Sequence, residues 1–589
     1  MTVSFKWELP FGAEVLDSGR TRFRIFAPAK EAVSVEIDGR GSFSMHKGSD
    51  GVFEAILACG SGARYRYRLA DDLAVPDPAS RAQLNDVHDW SLVVDPAAYR
   101  WQTPWHGRPW QNAVLYELHA GLFGGFRGVE KELRRLASLG VTAVELMPVN
   151  DFPGRRNWGY DGVLPYAPDS AYGSPDDLKA LIDAAHACGL MIFLDVVYNH
   201  FGPDGNYLGS YAPQFFRNDL TTPWGPAIDF RRPEVRRFFT QNALYWLMEY
   251  RFDGLRFDAV HAISESDWLD EMARAVRDTV EPDRHVHLVL ENEANQASHL
   301  RGDFDAQWND DFHHALHVLL TGERDGYYED YADDTAGKLA RALSEGFIFQ
   351  GEASRHREGG ARGTPSGDLS PDAFVCFLQN HDQIGNRAFG ERLTTLARPT
   401  ALEAAIALQL LAPQIPLIFM GEEIASETPF LFFTDHHGAL ADAVREGRRR
   451  EFAKFKGFAD PARREKIPDP NDVETFRRSA PVPPDERGER RSELYRRLLA
   501  VRAAEIVPRL AGTRSAGASA SGPQAVVARW RLGDGALLTI ACNLAEGAVS
   551  LREPVYGRML FESGQGAATQ AGAGSLPPST TVAFLETAP

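Results

Sequence analysis

Two kinds of hydrophobic pattern divide the chain. Between residues 20 and 70, apolar and polar side chains alternate in RTRFRIFAP, AVSVEI and ARYRYRL, with Gly- and Asp-rich turns between these segments. Such alternation is typical of strands that bury one face. We therefore predict an N-terminal β-sandwich over residues 1–95, followed by a Pro- and Trp-containing linker over residues 96–112.

From residue 113 onward, short apolar runs alternate with amphipathic helical segments. VLYELH precedes a helix that ends at Gly140, and VTAVELMPV precedes a helix that begins at Ser174 and ends at Gly189. Six further strand candidates bring the total to eight: LMIFLDVV, RFDGLRFD, HVHLVLE, DAFVCFL, IPLIFM and a weaker one at Asp305–Trp308. This series predicts a central parallel (β/α)₈ TIM barrel with insertions over residues 113–490.

The remaining segments suggest additions to the barrel. The strands AVVARWRL and ALLTIACNL predict a C-terminal β domain over residues 491–589, so the predicted fold class is a multidomain α/β protein. The long loop Phe201–Arg231 should help to build the cleft. We expect residues 430–490 to cover or extend the barrel, and Arg448–Arg450 to form a solvated helix face without a catalytic role.

Charge and cysteine usage exclude several classes of function. The net charge of −18 argues against nucleic acid or an anionic membrane as a partner. The four cysteines lie far apart without CxxC spacing, which fits neither a disulfide framework nor a zinc site. No segment has the pattern of a signal peptide or a membrane span. We expect a cytoplasmic protein that is a monomer or a weak homo-oligomer.

Four predicted barrel strands end in polar clusters: DVVYNH, GLRFDAVH, LVLENEAN and FLQNHDQIGNR. Because the strand ends of a parallel barrel share one face, these clusters should form one site. Arg256 and Asp258 lie two residues apart and face the same side, so the guanidinium would keep the carboxylate ionised and oriented, as a covalent nucleophile requires. Taken alone, this pair fits a structural ion pair equally well. Glu291 ends the next strand among apolar neighbours that would keep it protonated, and we favour it over Glu293 as general acid.

The strand-end clusters, with WGYDG at Trp158–Gly162, resemble the α-amylase superfamily of retaining glycosidases and glycosyltransferases over about residues 113–430. The resemblance implies that Asp258 is the nucleophile, Glu291 the acid/base and Asp382 the stabiliser of the transition state. The predicted substrate-binding residues are Tyr160, His200, Arg256, His261, Asp310, Asp311, His313, His381, Gln383 and Asn386. Leu290 departs from the Gly that the superfamily usually has before the acid/base. We expect no cofactor and no required metal, and we expect Asp195 to be a buried partner of Arg256.

A narrower resemblance spans most of the chain. Five segments are similar to the maltooligosyltrehalose trehalohydrolases: MGEEIASETPFLFFTDH, VREGRRREFAKF, IPDPNDVETFRRS, PDPASRAQLNDVHDWSLVVDP and AQWNDDFHHALH. The stretch APVPPDERGER after Ser479 departs from that family. That family cuts the α-1,4 bond next to the terminal trehalose of maltooligosyl trehalose. The resemblance implies a retaining hydrolase that acts on maltooligosyl trehalose and malto-oligosaccharides and releases trehalose and a maltooligosaccharide.

Several alternatives remain open at this point. An α-1,4-glucan branching enzyme would share the chemistry but use a sugar hydroxyl as acceptor. A non-catalytic glucan-binding relative is less favoured because the carboxylates and histidines are all present, and a hydrolase of starch side branches is a further option. Candidates for recognising the 1,1-linked glucose pair lie in Asn206–Tyr211, Trp224 and Asn309–His314.

Overall fold

The computed structural model describes residues 3–17, 19–70, 73–222, 225–453, 456–458 and 460–587, and Trp224 therefore lies outside the described residues. Two antiparallel sheets form the N-terminal part. The strands of the first sheet, in spatial order, are Gly12–Asp17, Arg20–Phe26, Val52–Leu57 and His46–Lys47. Those of the second sheet are Gly41–Ser44, Val33–Ile37, Arg64–Leu69 and Ala74–Val75. The short strand Ser91–Leu92 also pairs with Arg64–Leu69. In Arg20–Phe26 every second residue is buried, as the alternating pattern predicts.

Eight parallel strands close into a barrel, which confirms the predicted (β/α)₈ fold. Barrel strands 1 to 8 are Leu115–Leu118, Ala143–Leu146, Met191–Val196, Gly254–Phe257, His287–Leu290, Ala306–Trp308, Phe374–Cys376 and Ile415–Phe419. Strand 8 returns to pair with strand 1, where Leu115 faces Leu417. The strands are buried on both faces, which is why they appear as continuous apolar runs in the sequence.

Helices follow most of the barrel strands. Strands 1 to 4 are followed by the helices Phe126–Leu139, Pro175–Ala187, Pro233–Met248 and Asp267–Thr279, respectively. Strand 6 is followed by Asp310–Thr321 and Thr335–Glu345, and strand 7 by Pro399–Leu411. The helix Glu486–Val501 lies beyond strand 8. Between strands 5 and 6 there is the short 3-10 turn His299–Arg301. The helix boundaries agree with the sequence signals: Ser174 and Asp177 form a capping box, and Gly140 ends its helix with a φ of 105°.

Two long insertions extend the barrel, one after strand 3 and one after strand 8. The loop after strand 3 contains the helix Leu208–Tyr211 and a hairpin of Phe216–Thr222 with Gly225–Ile228. The excursion after strand 8 contains Gly438–Phe452, Pro461–Arg464 and Val473–Arg478. Among the residues with described coordinates, no helix combines the length and apolar character needed to cross a bilayer.

The expected solvated face at Arg448–Arg450 is wrong for Arg448. This side chain is buried, and its Nη2 donates to the carbonyl oxygens of Gly385 at 2.6 Å and Arg387 at 3.1 Å. The helix packs one face against the segment that follows strand 7, so Arg448 caps backbone carbonyls there instead of facing solvent.

The C-terminal part contains a five-stranded antiparallel sheet, and this completes the predicted fold class. Its strands, in spatial order, are Arg514–Ala520, Ala525–Arg531, Leu537–Asn543, Thr580–Glu586 and Arg558–Glu562. A two-stranded sheet of Val549–Ser550 and Ser575–Leu576 and the helix Ala567–Gly572 pack beside it.

A buried ion pair joins the N-terminal part to the barrel. Arg81 approaches both carboxylate oxygens of Glu249 at 3.3 Å, and Glu249 caps the end of the helix after strand 3. Arg81 also donates to the carbonyl oxygens of Trp7 and Ala13, while Glu249 accepts from the amide of Trp7. Both side chains are almost fully buried, so each depends on the other for compensation of its charge.

We therefore expect Arg81→Met to lower the free energy of unfolding by about 3–5 kcal/mol, because it leaves Glu249 buried without its main cation. Denaturant unfolding followed by tryptophan fluorescence measures the change. The control is Arg64→Met, which removes the exposed Arg64–Asp38 pair of the same sheets and should cost less than about 1 kcal/mol. Equal effects of the two variants would contradict the assignment of Arg81 to this junction.

Candidate active site

One buried guanidinium organises the carboxyl ends of strands 3, 4 and 5. Nη1 of Arg256 donates to Oδ2 of Asp195 at 2.7 Å and to Oδ1 of Asp258 at 2.9 Å. Nη2 lies 3.2 Å from Oε2 of Glu291, without the alignment of a hydrogen bond. The guanidinium also stacks on the ring of Trp308, 4.2 Å from its centroid. Arg256 therefore brings Asp258 and Glu291 to the same place.

Asp258 is oriented by a second donor from the end of strand 3. Nδ2 of Asn199 donates to Oδ2 of Asp258 at 2.7 Å, while the carboxylate keeps 12% of its surface exposed to the cleft. His200 contacts the side-chain oxygen of Asn199 through Nδ1 and the carbonyl oxygen of Tyr160 through Nε2 at 2.9 Å. His200 thus supports the nucleophile candidate through Asn199.

Glu291 lies where strand 5 opens into the cleft. The amide of Ala259, whose φ of 42° is left-handed, donates to Oε2 of Glu291 at 2.6 Å. Burial raises the pKa of Glu291 well above its usual value; Arg256 opposes the shift and Asp258 adds to it. A carboxyl group in this environment retains its proton, as a general acid must.

Glu293 has a different environment. Its side chain is 47% exposed and accepts a hydrogen bond from Nη2 of Arg357 at 2.9 Å. Although burial opposes the shift, Arg357 lowers the pKa of Glu293 below its usual value. His261 approaches Glu293 at 3.7 Å and accepts its backbone N–H at 3.4 Å. These electrostatics favour Glu291 over Glu293 as the acid.

Strand 7 is followed by a buried cation beside the third carboxylate candidate. His381 bonds Glu117 of strand 1 through Nδ1, and its amide donates to the same carboxylate at 3.1 Å. Burial opposes the charge of His381, but Asp382 and Glu117 raise its pKa to about 9, so the imidazole is cationic at neutral pH.

Tyr160 links this cation to the site around Arg256. Its hydroxyl donates to Oδ2 of Asp195 at 2.6 Å and accepts from Nε2 of His381 at 2.8 Å. Its ring stacks on the imidazole, with centroids 5.1 Å apart. Asp382 is the most exposed of the three carboxyl candidates, with 36% of its side chain accessible, and it lies 3.4 Å from His381.

A cavity of about 200 Å³ opens beside Glu291 and Asp382. Three of the residues that the sequence suggests for substrate binding line it: Asp310, Gln383 and Asn386. Burial raises the pKa of Asp310 to about 7, and Nε2 of Gln383 donates to this side chain at 3.2 Å. Asp310 is therefore a polar group that can both donate and accept hydrogen bonds near neutral pH.

The structure does not place Asp311 at this cavity. The side chain is completely buried, and its carboxylate accepts hydrogen bonds from the amides of Ile348 at 2.7 Å and Phe349 at 3.1 Å and from Nδ2 of Asn295 at 2.9 Å. Asp311 follows Asp310 on the helix Asp310–Thr321 but points about 100° away, toward the chain after the next helix. It has a structural role here.

The same correction applies to His313. Its Nδ1 bonds the carbonyl oxygen of Leu378 and its Nε2 lies 3.2 Å from the hydroxyl of Tyr328, both inside the protein. Burial lowers the pKa of His313 well below its usual value, so it is a neutral packing residue. Its neighbour His314 lines the cavity instead, because it lies one helical turn after Asp310 and on the same side of the helix.

Sequence reasoning missed several residues around the cavity and the catalytic pair. Glu117 carried a signal, since it is a charge inside the apolar run VLYELH. Tyr327, His356 and Arg357 line the cavity from segments without a helical or strand pattern, so nothing in the sequence marked them. In the part of the chain with described positions, no group of three or more His, Cys, Asp or Glu side chains is arranged to hold a metal ion.

Tyr207 and Tyr211, from the candidate segment Asn206–Tyr211, contact the N-terminal part instead. The hydroxyl of Tyr207 lies 2.8 Å from Nδ1 of His88, and the carbonyl oxygen of Tyr211 accepts from Ala29. Through these contacts, this part of the loop after strand 3 packs against the N-terminal part of the chain.

Comparison with known proteins agrees with the geometry. The family model "Alpha amylase, catalytic domain" matches residues 111–224, and a domain of unknown function, DUF3459, matches residues 513–584. A crystal structure from Salmonella typhimurium, of a protein assigned as an alpha amylase, has a TM-score of 0.92 at 44% identity and covers 99% of this chain and 100% of its own. A pullulanase from Anoxybacillus has a TM-score of 0.72 at 18% identity, covers 99% of this chain and 88% of its own, and shows the fold alone.

Comparison with related sequences identifies a narrower family within this superfamily. A malto-oligosyltrehalose trehalohydrolase from Deinococcus radiodurans is 43% identical over 79% of this chain and 78% of its own length. The enzyme of that name from Saccharolobus solfataricus is 41% identical over 75% and 80%. A 1,4-alpha-glucan branching enzyme from Corynebacterium jeikeium is 35% identical over only 45% and 41%. The chain therefore belongs to the malto-oligosyltrehalose trehalohydrolase family of the α-amylase superfamily.

Proposed function

We propose that the protein is a retaining glycoside hydrolase that cleaves the α-1,4 bond next to the terminal trehalose of maltooligosyl trehalose. The products are trehalose and a shortened maltooligosaccharide. The observation that carries the proposal is the contrast between two neighbouring carboxyl groups. Asp258 receives two strong hydrogen bonds from Arg256 and Asn199, whereas Glu291 is buried with a raised pKa.

In the first step, Asp258 attacks the anomeric carbon of the sugar that precedes trehalose. The bond from that carbon to the trehalose oxygen breaks, and the proton of Glu291 passes to this oxygen. The result is a covalent glycosyl ester on Asp258 and free trehalose. Arg256 lowers the energy of the ionised nucleophile and fixes its direction toward the cleft.

In the second step, Glu291 acts as a base. It removes a proton from water, the oxygen of this water attacks the anomeric carbon, and the ester bond to Asp258 breaks. The original configuration is restored by the two inversions. Asp382 would hold hydroxyls of the distorted sugar, while the cationic His381 and the ring of Tyr160 would bind its remaining edge and face.

The cavity beside Glu291 suits the departing disaccharide. Because Glu291 donates its proton to the departing oxygen, the leaving group must lie on the side of this residue. The cavity on that side combines the ring of Tyr327 with the polar side chains of His356, Arg357 and Asp310. An aromatic face with surrounding hydrogen-bonding groups is well suited to a pair of glucose rings.

Three further proposals concern the context of the reaction. The domain boundaries 1–95, 96–112, 113–490 and 491–589 place all eight barrel strands in one unit. The four free cysteines, none of which forms a disulfide, support a reducing compartment such as the cytoplasm. The protein is expected to act as a monomer or a weak homo-oligomer.

The function is tested by product analysis with maltotriosyl trehalose and maltopentaose. We expect trehalose and maltotriose from the first substrate, with maltotriose initially in the α configuration by NMR, and at least about tenfold slower cleavage of the second. A change in iodine staining of amylose without release of trehalose would instead indicate the branching alternative. Initial release of the β-anomer would exclude the retaining mechanism.

Substitutions at the two carboxyl groups should separate their roles. Asp258→Ala should lower kcat by about 10³-fold or more on every substrate, because no ester can form. Glu291→Gln should lower kcat on maltotriosyl trehalose by about 10²–10⁴-fold. The same variant should still release the first equivalent of fluoride rapidly from α-maltotriosyl fluoride, since fluoride leaves without a proton, whereas later turnovers should be slow because the second step lacks its base. Glu293→Gln is the control and should retain kcat; a larger loss at Glu293 than at Glu291 would reverse the assignment.

The raised pKa of Glu291 also predicts a pH dependence. Because the first step requires the protonated form, kcat/KM should fall as pH rises through this pKa, well above the range of an ordinary Glu near about 4.3. A pH series of initial rates on maltotriosyl trehalose measures this basic limb. When Glu291→Gln acts on α-maltotriosyl fluoride, the rate of the first fluoride release should not show this decline at high pH. A decline that persists unchanged would assign the titration to another group.

A further inference from the structure

The outer wall of the cavity consists of two irregular segments. One is the 3-10 segment Gly326–Tyr331, which brings Tyr327 to the cavity. The other is a hairpin of Glu352–Ala353 with Ala361–Arg362, whose connecting turn brings His356 and Arg357. Neither segment belongs to the regular barrel, so some contact between them has to fix their relative position.

One such contact is the carboxylate of Asp330, which is buried within the 3-10 segment, and another is the hydrogen bond from Nη1 of Arg362 to the hydroxyl of Tyr331 at 2.6 Å. Oδ2 of Asp330 accepts the hydroxyl proton of Ser354 at 2.6 Å. Its Oδ1 accepts the amide protons of Arg355 at 2.6 Å and His356 at 3.2 Å. Oγ of Ser354 in turn accepts the amide of Arg357 at 3.1 Å, so one carboxylate directs four consecutive residues.

The hairpin turn needs an anchor outside itself. Glu358 has a left-handed φ of 53°, which is unfavourable for a residue with a Cβ atom. The turn closes through the amide of Gly359, which donates to the carbonyl oxygen of Ser354 at 2.8 Å. With Asp330 in place, Nη2 of Arg357 reaches Oε1 of Glu293 at 2.9 Å, beside the general-acid candidate.

We propose that Asp330 is the positioning residue for the leaving disaccharide: it holds the turn so that His356 and Arg357 face the departing trehalose. The inference rests on the proposed function of the cavity. Asp330 acts through the turn and not on the reacting atoms, so it should affect binding of the leaving group while the chemistry at Asp258 is unchanged.

An exposed ion pair just after the 3-10 segment provides a matched control. Asp333 pairs with the side chain of Arg355, but these side chains are 64% and 63% exposed. An exposed pair of this kind is screened by water and contributes little. Asp333→Ala therefore removes an exposed bridge to the hairpin turn and leaves the buried contacts of Asp330 and Arg362 in place.

The test compares Asp330→Ala, Asp330→Asn and Asp333→Ala on maltotriosyl trehalose and on α-maltotriosyl fluoride, whose leaving group does not occupy the cavity. For Asp330→Ala we expect kcat/KM on maltotriosyl trehalose to fall at least about tenfold, mainly through KM, and inhibition by trehalose to weaken similarly. Turnover of the fluoride should stay within about twofold. Asp333→Ala should match the wild type on both substrates.

Asp330→Asn should restore most of the loss. Its amide oxygen can still accept the two backbone N–H groups, and its NH₂ group can donate to Oγ of Ser354. Ser354→Ala removes only the hydroxyl link and should shift KM in the same direction by a smaller factor, which keeps the proposal testable if Asp330→Ala does not fold.

The outcomes separate this inference from the proposed function. If the wild type releases no trehalose, the proposed function fails and the inference fails with it. If the wild type releases trehalose while Asp330→Ala leaves its KM and trehalose inhibition unchanged, the inference alone is overturned. An equal loss on the two substrates would also overturn it, since a general structural role would lower both rates.

Discussion

The site depends on the burial of one cation. Arg256 has no exposed surface and lies between the ends of three adjacent strands: Asp195 from strand 3 and Asp258 after strand 4 accept its hydrogen bonds, and the protonated Glu291 after strand 5 lies 3.2 Å from it. A buried guanidinium is costly unless its partners are fixed in good geometry, and parallel strand registers supply that geometry without mobile loops. The register that pairs Asp195 with Arg256 across strands 3 and 4 thus determines where the chemistry can occur.

The surroundings distribute charge unequally among similar carboxyl groups. Asp258 has two donors with short bonds, whereas Glu291 has the amide of Ala259 and only a poorly aligned approach to Arg256. Deeper in the barrel, Glu145 is buried with no hydrogen-bond partner for either carboxyl oxygen, and burial raises its pKa well above the usual value. Its neighbour Glu117 is instead neutralised by the cationic His381. These two glutamates therefore add little net negative charge to the interior of the barrel.

The parts that could be predicted from sequence are those that local patterns determine. Helix ends at Ser174 and Gly140 follow from capping chemistry, and Asp258 and Glu291 follow from their positions at the ends of apolar strands. The positions of Asp311 and Arg448 do not follow from the sequence, because adjacency in sequence does not state which face of a helix a residue occupies. Tyr327, Asp330 and Arg357 could not be identified, since they meet only through contacts between segments that have no periodic pattern.

The residues that can be predicted lie at strand ends and carry out the covalent step, whereas those that cannot be predicted lie in the cavity wall. The covalent step needs the nucleophile, the acid and the stabiliser at fixed distances, and rigid strand ends supply them. Hydrolysis and transfer to another sugar differ only in what enters the cavity after trehalose departs, so the same strand ends serve either outcome. Discrimination must therefore come from the cavity wall, in which Asp330 joins the two irregular segments and Arg362 bonds the hydroxyl of Tyr331 and the carbonyl oxygen of Glu293. Specificity here depends on how firmly irregular segments are attached, and the attaching groups are buried polar side chains that do not touch the reacting bond.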